Sequence, residues 1–189
     1  MSYREIKFKK LLEMAKAEAM LSESVVNEND ETVFIPTKTF ELLQNSVIAS
    51  GDLDHIVEFA GQNFVCSDVS ALAQPVLESK DIEKNTTFAS EVFGADVQAH
   101  GQVVIENGDS QDNYEFARLN LRGADILAHG KKIQEEGSAF WNVQYVKHIE
   151  GADIPSHRAV VAQVGKDSDL LEIDEVVRQI EEQVAGSNE

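Results

Sequence analysis

Aspartate and histidine recur four residues apart at three places in this chain. The pairs are Asp96/His100, Asp125/His129 and Asp153/His157, each inside a Gly-Ala-Asp-Val/Ile phrase beginning at Gly94, Gly123 or Gly151. Carboxylate and imidazole are metal ligands, and together they can also move protons. On a helix, a spacing of four puts both groups on one face. On a strand it also puts them on one face, but about 13 Å apart. The segments read as extended, so no single copy can chelate. A metal centre would need His100, His129 and His157 to converge from neighbouring strands. No catalytic, cofactor-binding or metal-ligating residue is therefore assigned, and no cofactor or bound transition metal is expected.

Other groups with chemical potential have plainer readings. Asp52-Leu53-Asp54-His55 has the make-up of a ligand cluster or acid/base group, and equally that of a helix start with acids at the positive end of the dipole. Asp109-Ser110-Gln111-Asp112-Asn113 begins like a calcium loop, but Tyr114 stands where such a loop needs glycine and Asn120 where it needs an acid. It reads as a hairpin loop. Gly130-Lys131-Lys132 lacks the upstream glycine spacing of a phosphate-binding loop, and no Gly-x-Ser-x-Gly elbow occurs. The single cysteine, Cys66, has apolar neighbours and reads as a small buried hydrophobe. Asn85-Thr86-Thr87 is a glycosylation sequon without a secretory signal to give it use.

The elements that would position these groups follow from periodicity. Residues 4–21 carry Phe8, Leu11, Leu12, Ala15 and Ala19 at helical spacing. The polar stretch 23–32 reads as loop, and Val33-Phe34-Ile35 as extended before Pro36. Thr37 caps a helix over 38–49, and a further helix spans 69–79, with Pro75 in its first turn or at a kink. From about residue 86 the pattern reads as period two. Asn107-Gly108 is a hairpin signal, and Ala139–Ile149 alternates with Trp141, Val143 and Tyr145 facing inward. Leu170, Ile173, Val177, Ile180 and Val184 then mark a helix over 169–185. The expected fold is α+β: a mostly antiparallel sheet over about residues 86–165 with amphipathic helices at the N-terminus and C-terminus. The expected division is an N-terminal helix with acidic linker, 1–32, and a single α+β domain, 33–189.

The threefold phrase recurs at intervals of 29 and 28 residues, the kind of period that marks repeat architectures. Gly-Ala-Asp-Val/Ile resembles the end of an ankyrin repeat, and Gly51–Gly61, GDLDHIVEFAG, resembles the second helix of one. That resemblance implies stacked helix pairs. The Thr-Pro-Leu-His turn is absent from every copy, the period is short, and Ala139–Ile149 alternates. Phe116–Ile126 has the local flavour of a β-solenoid, not sustained over further coils. The reading adopted is three similar loop-to-strand entries in the sheet, with Gly supplying the turn and Asp a local bond to the backbone.

Composition narrows the function classes. The chain has 189 residues and a net charge of −18. Residues 1–20 hold five bases and three acids, so the acidity lies beyond them. Such a surface repels nucleic acid and anionic membrane and suits a basic partner. No run is long and apolar enough to span a bilayer, and one cysteine gives no sign of an oxidising compartment. The expectation is a cytoplasmic, non-enzymatic structural or interaction protein that binds a protein partner or itself, such as a subunit or accessory factor of a larger assembly, a phage or virion among the candidates. The alternatives are an acidic inhibitor occupying a basic groove, or a small enzyme using Asp and His of the repeated phrases.

Overall fold

Side-chain caps set the helix starts along most of this chain. Thr37 accepts from the Phe40 amide, Asp52 from His55, Asp68 from Ala71, and Asp81 from Lys84. Asp109, Asp125, Ser138 and Asp153 do the same for Asp112, Ala128, Trp141 and Ser156. Each satisfies an amide that the first helical turn leaves unpaired. The computed structural model describes residues 3–26 and 32–186. It divides into two compact units, one up to Asp96 and one from Val97.

In the first unit, α1 (Tyr3–Ala19) leads into an antiparallel hairpin of β1 (Glu23–Val26) and β2 (Thr32–Ile35). Four helices follow: α2 (Lys38–Ala49), α3 (Leu53–Ala60), α4 (Val69–Ser79) and α5 (Ile82–Glu91). They form two helix pairs, with α2 against α4 and α3 against α5, while α1 packs on α2. The core is aromatic and aliphatic, with Phe8, Phe40, Ile56, Phe59, Leu72, Val76 and Phe88 buried. Pro75 lies well inside α4, and Lys80 ends that helix in the left-handed conformation.

The second unit holds three more pairs: α6 (Val97–Asn107) with α7 (Ser110–Arg118), α8 (Ile126–Glu136) with α9 (Ala139–His148), and α10 (Ile154–Val164) with α11 (Asp167–Gly186). First helices neighbour first helices, α6 to α8 to α10, and second helices do likewise, α7 to α9 to α11. Each pair thus buries its apolar residues against the next, as in helical repeat arrays.

The expected antiparallel sheet over residues 86–165 is absent; that stretch is helical, and the described strands are only those of the hairpin at 23–35. The α+β reading and the loop-to-strand reading of the echo are corrected to stacked helix pairs, the arrangement that the ankyrin resemblance implied. Ala139–His148 shows why. Its buried residues are Asn142, Val143, Tyr145 and Val146, a spacing of one, three and four that belongs to a helix. Val143 and Tyr145 do face inward, and Trp141 is partly exposed. Asn107-Gly108 joins two helices, not two strands: a Cβ on Gly108 would lie 2.7 Å from the Val104 carbonyl oxygen. Part of the polar stretch read as loop, Glu23–Val26, is strand β1. The other helices came out close to expectation, at Tyr3–Ala19, Lys38–Ala49, Val69–Ser79 and Asp167–Gly186.

Candidate functional site

The Asp and His of each repeated phrase part company at a helix start. Gly94, Gly123 and Gly151 have φ of +83°, +99° and +83°, a region that favours glycine, and they turn the chain toward the next pair. Asp125 and Asp153 are then N-caps on the surface, while His129 and His157, four residues on, are wholly buried. His100 is likewise wholly buried. Turn glycine and capping aspartate thus do what the sequence reading gave them to do, at the head of a helix instead of a strand. Among the described residues, no three His, Cys, Asp or Glu side chains are grouped to hold a metal ion.

What the histidines meet is asparagine. His129 Nδ1–H donates to Asn113 Oδ1 at 2.8 Å, and His157 Nδ1–H donates to Asn142 Oδ1 at 2.6 Å. The direction is fixed by the rest of each amide. Asn113 Nδ2 donates to the carbonyls of Asp109 and Val104, at 2.9 and 3.4 Å. Asn142 Nδ2 donates to those of Ser138 and Ile133, at 2.8 and 3.3 Å. With Nδ2 committed as a donor, Oδ1 can only accept, so each imidazole carries a proton on Nδ1. Each asparagine therefore ties the end of one helix to the start of its partner, and then to the next pair.

The ring faces are packed as tightly as the edges. His129 stacks on Phe116 at 4.8 Å, and His157 on Tyr145 at 4.9 Å. Their Nε2 atoms are buried without a hydrogen-bond partner. Nε2 of His129 faces Gly101, where a Cβ would come within 3.3 Å of it; Nε2 of His157 faces Gly130, where a Cβ would come within 3.0 Å. A proton on Nε2 would have no acceptor there. Burial accordingly pushes both imidazoles down to about 4. It also raises the Tyr145 phenol, whose hydroxyl donates to the Ile126 carbonyl at 2.5 Å.

The remaining sequence candidates are dispersed. Asp52 caps α3 and also meets His55 Nδ1 at 3.1 Å and Arg4 at 2.6 Å, while Asp54 pairs with Lys84 at 2.6 Å. The Lys84 ammonium holds the Asp54 carboxyl below its usual range. The His55 ring stacks on Phe8 at 3.9 Å, beside a cleft of about 170 Å³ also lined by Arg4, Lys7 and Val47. Asp109 and Asp112 form a capping box at the head of α7, which accounts for the calcium-like string. Lys131 and Lys132 lie on α8, within 3.8 and 3.5 Å of Glu135 and Glu136. Cys66 is a free, buried thiol. Asn85 is fully buried and donates to the carbonyls of Val76 and Asp81, so the sequon lies inside the fold.

The asparagines were missed in the sequence, although a signal was there. Asp81…Asn85…Phe88, Asp109…Asn113…Phe116 and Ser138…Asn142…Tyr145 repeat a cap, an asparagine four on and an aromatic three beyond it. Their intervals, 28 and 29, are those of the histidines in reverse order.

Sequence reasoning also overlooked the surface of the hairpin. All eight residues of β1 and β2 are exposed. Val25, Val26, Val33, Phe34 and Ile35 are 38–67% exposed, and none belongs to the buried core of the first unit. Val25 stands opposite Val33, and Ser24 opposite Phe34. Both faces of the hairpin are therefore partly apolar. No helix among the described residues is long and apolar enough to cross a membrane. No protein-family model matches the chain, and neither a curated protein nor a solved structure matches it.

Proposed function

We propose that the chain is a non-enzymatic interaction protein, a helical-repeat scaffold that presents the β1–β2 hairpin to a protein partner. The observation that carries this reading is the hairpin's exposure: five large apolar side chains stand in solvent on a two-stranded sheet. A hairpin of that size is marginal in water by itself, and clustered exposed hydrophobics mark contact surfaces. The interior supports the same reading. His129, His157, Asn113 and Asn142 are engaged in holding helix pairs together and are closed to a substrate.

The test places a photo-reactive phenylalanine analogue at Phe34 of the full chain and, separately, at the exposed Glu115 on α7. Irradiation in the native cells is expected to cross-link position 34 to another polypeptide and to leave position 115 largely unlinked. Equal cross-linking at both positions would remove the hairpin from the reading. A Val33→Ser, Phe34→Ser chain is expected to keep its helical circular dichroism, because neither residue takes part in the core.

A further inference from the structure

The two edges of the hairpin differ, and the difference indicates what docks there. β2 pairs with β1 along one side only; among the described residues no strand lies on its other side. Its outer amides and carbonyls form an open ladder, the kind of edge that natural proteins usually guard with a charge, a proline or a covering segment. Thr32–Ile35 has no charge, and its residues, Thr, Val, Phe and Ile, all favour strands. β1 has Glu23 and Ser24 in its four residues. The guard on β2 is Pro36, which follows the strand and ends any pairing there. The open edge is then four residues long, a reach of roughly 13 Å.

We propose that this edge of β2 takes a basic, extended segment of a partner protein as a third strand. The proposal deepens the interaction reading above and rests on it. The strand geometry comes from the edge, since a third strand completes the smallest sheet that is stable when one face is apolar. The charge comes from the sequence around it. Residues 23–35 include Glu23, Glu28, Asp30 and Glu31 and no Lys or Arg, within a chain of net charge −18. A second copy would carry the same acids. The segment that complements this edge alternates apolar, β-branched residues with Lys or Arg. Its apolar residues cover Val33, Ile35 or Phe34, and its bases suit the acidity of the surrounding sequence.

The probe is a six-residue peptide of alternating lysine and valine, added to the full chain at low salt. Peptides of alternating lysine and glycine and of alternating glutamate and valine are the controls. Amide exchange is followed by NMR. The lysine–valine peptide is expected to bind one to one and to slow exchange about tenfold at alternate amides within Thr32–Ile35, the ones that point away from β1. The glutamate–valine peptide is expected not to bind. The Val33→Lys chain, checked for unchanged helical circular dichroism, is expected to bind the lysine–valine peptide at least about tenfold more weakly. Equal binding of the lysine–glycine peptide, or binding without protection at 32–35, would reduce the effect to net charge and overturn the proposal. Self-association of the unmodified chain, abolished in Val33→Lys, would overturn it in favour of a second copy. If no peptide binds while Phe34 still cross-links to a protein in cells, the basic strand fails and the interaction reading survives.

Discussion

The α4–α5 pair and the pairs of the second unit fill the same slot with different chemistry. Four residues after the Asp68 cap stands Leu72, buried among Ile56, Phe59 and Val76. Four residues after Asp125 and Asp153 stand His129 and His157, each hydrogen-bonded to an asparagine of the pair before. The residue sixteen before Leu72 is Ile56, and the residue sixteen before His129 is Asn113. Both partners of the contact change together, from apolar to polar. The last pair marks the end of the series: Leu170 stands seventeen after Asp153, as Asn142 does after Asp125. An apolar slot fills space and tolerates sliding. An asparagine–imidazole slot is satisfied in one register only, and leaves costly unpaired groups in any other.

The largest effect that tests this contrast should come from Asn142→Ala. It removes the acceptor of His157 and the donor to two buried carbonyls, and a buried group left unpaired costs about 1–3 kcal/mol. A loss of about 4 kcal/mol is expected in urea denaturation. Trp141 is the chain's single tryptophan and lies on α9, so its fluorescence reports on the second unit. A loss below about 1 kcal/mol would make the asparagine ornamental, since surface substitutions usually stay within about half that figure.

Acid should separate the two slot types next. The folded imidazoles of His129 and His157 sit at about 4, against an ordinary 6.5. Between those values the unfolded chain binds more protons, so their contribution is full above pH 6.5 and is lost as pH falls toward 4. From pH 7 to 5 the two together should remove ~3 kcal/mol from the second unit. Urea midpoints followed by Trp141 at both pH values measure this. A His129→Gln, His157→Gln chain should show a much flatter dependence, and an unchanged slope would place the acid sensitivity elsewhere.

Gly130→Ala is expected to cost about 2 kcal/mol, because overpacking a filled interior outweighs the better helix propensity of alanine. Its Cβ would fall 3.0 Å from both His157 Nε2 and Tyr145 Cε1. A stabilised Gly130→Ala chain would show that the imidazole can retreat. The smallest effect should be that of Asp125→Ala, about 1 kcal/mol for a lost cap. It should leave most of the pH dependence in place, because burial is the larger influence on His129 and the nearby Asp125 carboxylate, which raises that imidazole, is the smaller one.

At several points where one turn of chain decides the structure, the sequence was sufficient. Thr37 and the stretch to Ala49 define α2, the turn glycines at 94, 123 and 151 take positive φ, and Asp125 and Asp153 bond to nearby amides. Those interactions span three or four residues. The C-terminal helix was legible because its apolar stripe runs for several turns. Tertiary structure alone decided that Ala139–His148 is a helix and that His129 and His157 are fasteners. In ten residues, period two and period 3.6 share many positions. The residue that breaks the tie, Asn142, looks like a surface group until its partners are in place. Those partners, the carbonyl of Ile133 and the ring of His157, lie nine and fifteen residues away in the chain. A buried amide is stable only once all of its bonds are made, and stacking the pairs is what makes them.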